Sequence, residues 1–378
     1  MKNPNVCNKR IDYIDNLRSI TILLLIPYHL AMAYNSWGEA NYIFFERINP
    51  IASIVTFISP WFMPLMFLLA GVSASFSIKK RGYFAFIKER LKRLGIPLIA
   101  GILFINPILS FVADKSHNGY EGSFLEHYSV FFSKFTDLTG YDGGFTLGHF
   151  WFIAVLILIS CLCCGIIKLI DIINSKNVRT VIIAVIALLA IALFDVELLG
   201  KKLPVYLCVY LLGYYLFSRE EAVELLVKFK WIFIGVWIAA SVTNTILFVY
   251  IEKYELHNTV CNYLSFAFGV PATFCLGHDY LDFSNKLSKF VSRTSYSFYC
   301  VHFPIVVLCQ YILNTTEMNC IINFAVSLFI SYFLTFAATF VFDKCKLFLK
   351  TKRKKPLYRD KSPASFKTIT LKWITPQI

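Results

Sequence analysis

The chain has 378 residues, 57% of them hydrophobic and only 16% charged, with a mean hydropathy of +0.62. Soluble domains carry about 25% charged residues, so a string of soluble domains is excluded and a multi-pass membrane protein is expected. The net charge of +14 then reads as the basic bias of cytoplasmic loops rather than as a nucleic-acid footprint.

Ten apolar segments follow one another, at 18–36, 52–78, 94–113, 148–170, 179–196, 203–218, 231–251, 259–278, 294–313 and 319–343. Backbone polar groups in lipid must be satisfied within the segment, so each is read as a helix. The expected fold is all-α, with about ten transmembrane helices. The segment at 203–218 is short, and 52–78 is long enough to tilt or to kink at Pro60 and Pro64. The first apolar run lacks a small-residue cleavage site, so no removable signal peptide is expected.

An even number of spans puts both termini on one side. That side collects 31 of the 37 lysines and arginines, and the other side 6, so both termini are expected in the cytoplasm of a cell (plasma or inner) membrane protein. Residues 1–345 form one membrane-embedded unit. Residues 346–378 form a basic cytoplasmic tail, solvated and drawn to lipid headgroups. The loop at 114–147 carries eight tyrosines and phenylalanines among acids and glycines, and their faces suit sugar rings. Eleven cysteines follow no metal-ligand spacing, so neither a disulfide nor a metal site is expected.

Several residues stand out against this apolar background. Arg18 opens the first span and His29 lies well inside it. Eleven residues of helix place them on nearly one face, roughly 16 Å apart. Ionisable groups in a span face a cavity, a partner or a substrate; the alternative is an interfacial anchor at Arg18 and a polar interhelical contact at His29. Arg90 and Arg93 share a helix face before Pro97. They suit phosphate oxygens, or are plain cytoplasmic charge. His149 and Trp151 open the fourth span about 200° apart, so they face different neighbours. Tyr299 and His302 lie at i, i+3 late in the chain. The small-residue run Phe67–Ser75 suits close helix packing.

The arginine, ten residues, histidine pattern of Arg18 and His29 resembles the signature of the acyltransferase-3 family of integral membrane acyltransferases. The segments Arg90–Pro97, His149–Trp151 and Tyr299–His302 resemble further elements of that family, and the likeness spans most of residues 10–345. Ala70 stands where many members have serine. The resemblance is nearest to members that modify glucans or other surface glycans. It implies acyl-coenzyme A as donor, no tightly bound cofactor, and a glycan acceptor outside the membrane. It also implies Arg18, Arg90 and Arg93 on the donor, His29 with Arg18 in catalysis, and His149 and Trp151 on the acceptor side. Tyr299 and His302 are supporting candidates.

Two functions are therefore carried forward. The first is transfer of an acetyl, succinyl or other acyl group to a glycan hydroxyl, with His29 as base or acyl relay. The second is a transporter or flippase whose path the same histidines and arginines line, against which the lack of a visible inverted repeat counts.

Overall fold

A computed structural model describes residues 12–354, apart from 137, 174, 199 and 253–255; the tail expected at 346–378 falls outside the described residues from 355 onward. The described residues are helical, with no strand beyond an isolated bridge between Leu198 and Lys201. In chain order the helices are α1 (Asp12–Leu23), α2 (Leu25–Met32), α3 (Asn49–Arg81), α4 (Tyr83–Phe104), α5 (Asn106–His117) and α6 (Phe124–Ser133). A short turn at Gly148–Phe150 leads into α7 (Trp151–Asp171), followed by α8 (Lys176–Ala192), α9 (Leu203–Tyr215) and α10 (Glu220–Lys228). The chain ends in α11 (Lys230–Thr245, running on to Tyr250), α12 (Leu256–Tyr280), α13 (Lys286–Leu313) and α14 (Cys320–Lys354).

Among the described residues seven stretches are long and apolar enough to cross a membrane: Asn49–Arg81, Tyr83–His117, Gly148–Asp171, Lys230–Tyr250, Thr259–Tyr280, Lys286–Leu313 and Cys320–Lys344. The other three segments expected from the sequence are helical but shorter, as the interrupted pair α1–α2, α8 of 17 residues and α9 of 13. The first helix also begins earlier than hydropathy alone indicates. Asp12 and Asp15 occupy its first turn, where carboxylates favour a helix start. Asn16 anchors it by donating to the carbonyls of Leu281 and Phe283, both at 2.8 Å.

The spine of the bundle is α3. The most apolar stretch of α3 is 72% buried, against 22% for that of α14 at the periphery. Its run Phe67–Ser75 packs backbone to backbone on α9. A Cβ added at Gly71 would strike the Tyr210 carbonyl, and one added at Gly213 the Leu68 carbonyl, so each helix offers the other a glycine. Gly71→Ala or Gly213→Ala should overpack this seam at a cost of about 1–3 kcal/mol, seen as a lower melting temperature in detergent. Gly165→Ala, where no neighbouring atom lies within 4 Å, should leave the melting temperature unchanged.

Prolines within helices or at helix breaks supply the second organising device. Proline has no N–H, so the carbonyl four residues earlier loses its helical partner. Four such carbonyls accept instead from side chains of other elements. Pro27 releases Leu23, which takes the Tyr332 hydroxyl at 2.8 Å. Pro97 releases Arg93, which takes the Tyr296 hydroxyl at 3.3 Å. Pro107 releases Leu103, which takes the Tyr128 hydroxyl at 2.7 Å. Pro304 releases Cys300, which takes the His149 ring at 3.2 Å. In an apolar medium these bonds tie helices together where the ladder is broken.

Candidate active site

The basic end of the bundle holds a cavity of about 500 Å³. Six basic residues line it, namely Arg18, Lys80, Arg81, Arg90, Arg93 and Arg293, against the two acids Asp15 and Glu89. That excess of positive charge suits an anionic ligand with several phosphate-like groups. The three arginines singled out in the sequence, Arg18, Arg90 and Arg93, thus come together from α1 and α4. Arg18 donates to Asp15 at 3.1 Å and to the Ser73 hydroxyl at 2.6 Å. Arg90 lies 5.1 Å from the centre of the Phe86 ring and points at the Ala70 carbonyl, 3.5 Å away. Ser73 belongs to the stretch the sequence marked only for packing, so α3 both packs on α9 and orients Arg18.

Towards the middle of the bundle the cavity becomes apolar, walled by Met66, Phe152, Ile153 and Leu156, and Tyr299 is among its lining residues. Behind Tyr299 stands a cluster of three histidines. The His302 ring centre lies 5.0 Å from that of His149 and 5.5 Å from that of His29. Phe303 closes over His29 at 4.2 Å. The Tyr299 hydroxyl donates to the backbone carbonyl of His149, and its ring stands 5.4 Å from the His149 ring. Tyr299 is therefore shared between cavity and cluster. Arg18 faces the first and His29 the second, although one broken helix carries both.

Trp151 and His149 do part company, as their spacing predicts. Trp151 stacks on Tyr206, which stacks on Phe67 at 4.4 Å, and the Lys201 ammonium lies 4.9 Å from the indole ring centre. The aromatic residues of the 114–147 loop pack on one another and on Phe111. Phe111 meets Tyr120, Phe124 and His127 edge to face, Tyr120 also meets His127, Phe131 and Phe135 pack on Phe145, and Phe131 is buried. The rings build the cap over this end of the bundle because burying them against each other removes far more apolar area from water than leaving them open. His127 inside that cap bonds Asp114 at 3.1 Å, and burial lowers its pKa more than Asp114 restores it.

Four residues of the site lack a signal in the sequence: Ser73, Lys80 with Arg81, and Arg293. The same is true of Tyr296, which fixes the Arg93 backbone. The hydroxyls carry no local signature, and the basic residues read as loop charge. Among the described residues no group of histidines, cysteines and acids is placed to hold a metal ion.

A helical membrane bundle with a cationic cavity on one side of a tyrosine and buried imidazoles on the other has the parts of a multi-pass membrane transferase. Residues 11–344 match the acyltransferase-3 family, described as an acyltransferase domain, and the chain belongs to that family. Its long apolar helices are those of an integral membrane protein. Over 162 residues it is 25% identical to the glucans biosynthesis protein C of Escherichia coli (strain SMS-3-5 / SECEC). That alignment covers 41% of this chain and 38% of the relative, so the chain spans well under half of the protein it matches. No solved structure matches it.

Proposed function

We propose that the protein moves an acyl group, acetyl or succinyl, from cytoplasmic acyl-coenzyme A to a hydroxyl of a glycan on the far side of the cell membrane. The observation that carries this reading is the cationic cavity ending at Tyr299 with the histidine cluster behind it. The nucleotide phosphates sit among Arg18, Arg90 and Arg93, and the pantetheine arm runs along the apolar walls toward Tyr299. Family membership supports acyl transfer, and the named role of the relative supports a glucan-type acceptor. The 31-to-6 split of basic residues supports ten spans with both termini inside, which puts the cavity mouth at the cytoplasm.

In this reading the acceptor hydroxyl attacks the thioester carbonyl. The new C–O bond forms as the C–S bond breaks, and the hydroxyl proton ends on the coenzyme A thiol. His29 takes and returns that proton. His149 is on the acceptor side with Trp151, whose ring packs on Tyr206 beside Lys201. Tyr299 and His302 support them.

Inverted membrane vesicles expose the cytoplasmic face. Given labelled acetyl- or succinyl-coenzyme A, they should release coenzyme A and label the glycan, while right-side-out vesicles should not use external donor. Glycan movement without coenzyme A release would favour a transporter instead, and donor use only from the outside would reverse the proposed orientation.

A further inference from the structure

The geometry points to His302 as the residue that fixes the tautomer of His29, a positioning role that rests on the acyl-transfer reading above. His302 Nδ1 lies 2.7 Å from the carbonyl of Tyr299, one turn back on α13. His149 Nε2 lies 3.2 Å from the carbonyl of Cys300, which Pro304 has released from the helix ladder. A carbonyl oxygen only accepts, so in each neutral ring the nitrogen facing it carries the hydrogen. The other nitrogen of each ring, His302 Nε2 and His149 Nδ1, then presents a lone pair.

Both of those nitrogens are buried without a hydrogen-bond partner, in rings 0% and 4% exposed. Buried polar atoms are rarely left so, and each such pair asks what donor it serves. For His302 the donor at hand is His29, its ring centre 5.5 Å away and tilted by 35°. A head-on N–H···N bond between two imidazoles sets their centres about 5 Å apart. A small turn of the His29 side chain therefore brings one of its N–H groups onto His302 Nε2. Phe303 over His29 and Phe298 parallel to His302 leave the pair shielded by aromatic rings.

The consequence is a base oriented by a third group, itself held by backbone. Tyr299 carbonyl fixes His302, His302 fixes His29, and the far nitrogen of His29 is left bare. That bare nitrogen takes the acceptor hydroxyl proton and gives it to the departing thiol. His302 keeps its own Nδ1 hydrogen throughout and carries no transferred proton.

Two substitutions separate this role from a structural one. The amide of His302→Asn reaches the place of Nδ1 and still donates to the Tyr299 carbonyl, but nothing remains at Nε2. The amide of His302→Gln reaches the place of Nε2, where its oxygen can accept from His29. Nitrogen-15 spectra of histidine-labelled full-length protein report the His29 tautomer whether or not the enzyme turns over. The expected result is one tautomer of His29 in the unmodified protein, a mixture in His302→Asn, and one tautomer again in His302→Gln. Turnover should follow: kcat down roughly 10²-fold in the Asn variant with donor KM unchanged, and most of that loss recovered by Gln. An unchanged His29 tautomer in the Asn variant would overturn the assignment, as would equal loss in both variants. Correct tautomers without any coenzyme A release from the unmodified protein would instead strike the acyl-transfer reading and leave the tautomer role standing.

Discussion

His29→Ala should be folded, inserted and able to bind donor, and should transfer no measurable acyl group. Loss of a positioned general base costs about 10²–10⁴-fold in rate. The structure separates this effect from donor binding. His29 packs on His302 and Phe303, whereas the cationic residues line a cavity that His29 does not touch. Donor affinity should therefore survive the substitution. His29→Gln is the discriminating variant, because glutamine can hydrogen-bond in that place but cannot take a proton at neutral pH. It should be as inactive as alanine, with a normal melting temperature. Near-normal turnover in a folded His29→Gln protein would remove His29 from the chemistry and leave it a packing residue between α2 and α13.

How far the site is legible in the sequence differs from residue to residue, for physical reasons. Arg90 and Arg93 announce a shared face because i, i+3 is a local rule. The meeting of that face with Arg18 follows only from packing. Ser73 is 55 residues from the arginine it orients, and Tyr296 is 203 residues from the carbonyl it caps. Nothing local marks either one. The prolines show the same division. Which carbonyl each proline releases can be counted along the chain, four residues back. Which side chain answers it cannot, since Tyr332 lies 309 residues from Leu23.

The fold divides along the same line. The small-residue run Phe67–Ser75 signals close packing, but not that α9 is the partner offering Gly213 in return. The segments picked by hydropathy are helical, seven of them long enough to cross a membrane, yet hydropathy misplaces the start of the first. Its polar first turn is set by Asp12, Asp15 and Asn16 rather than by apolar content. The 114–147 loop is similar. Its aromatic composition suits sugar stacking and self-packing alike, and which rings pack on which emerges only in the fold.

Replacing Arg90 and Arg93 together by glutamine should weaken acyl-coenzyme A binding roughly 10²-fold or more, with kcat at saturating donor much less affected. A hydrogen bond to a charged group contributes about 1.5–3 kcal/mol, so each lost arginine–phosphate contact is worth around a tenfold change or more. The two need not add, since they serve one ligand. The remaining binding should also respond less steeply to salt, because fewer charges meet the phosphates. Lysine at both positions should restore only part of the affinity, since it keeps the charge but lacks the planar fork. The surroundings of Arg90 sharpen that expectation. Its guanidinium lies over the Phe86 ring and is aimed at a backbone carbonyl, two contacts a lysine ammonium reproduces poorly. Binding of labelled donor to purified protein across a salt series checks all three points. Full affinity in the double glutamine variant would return both residues to the role of loop charge, and the cavity would then need another ligand to account for its six basic residues.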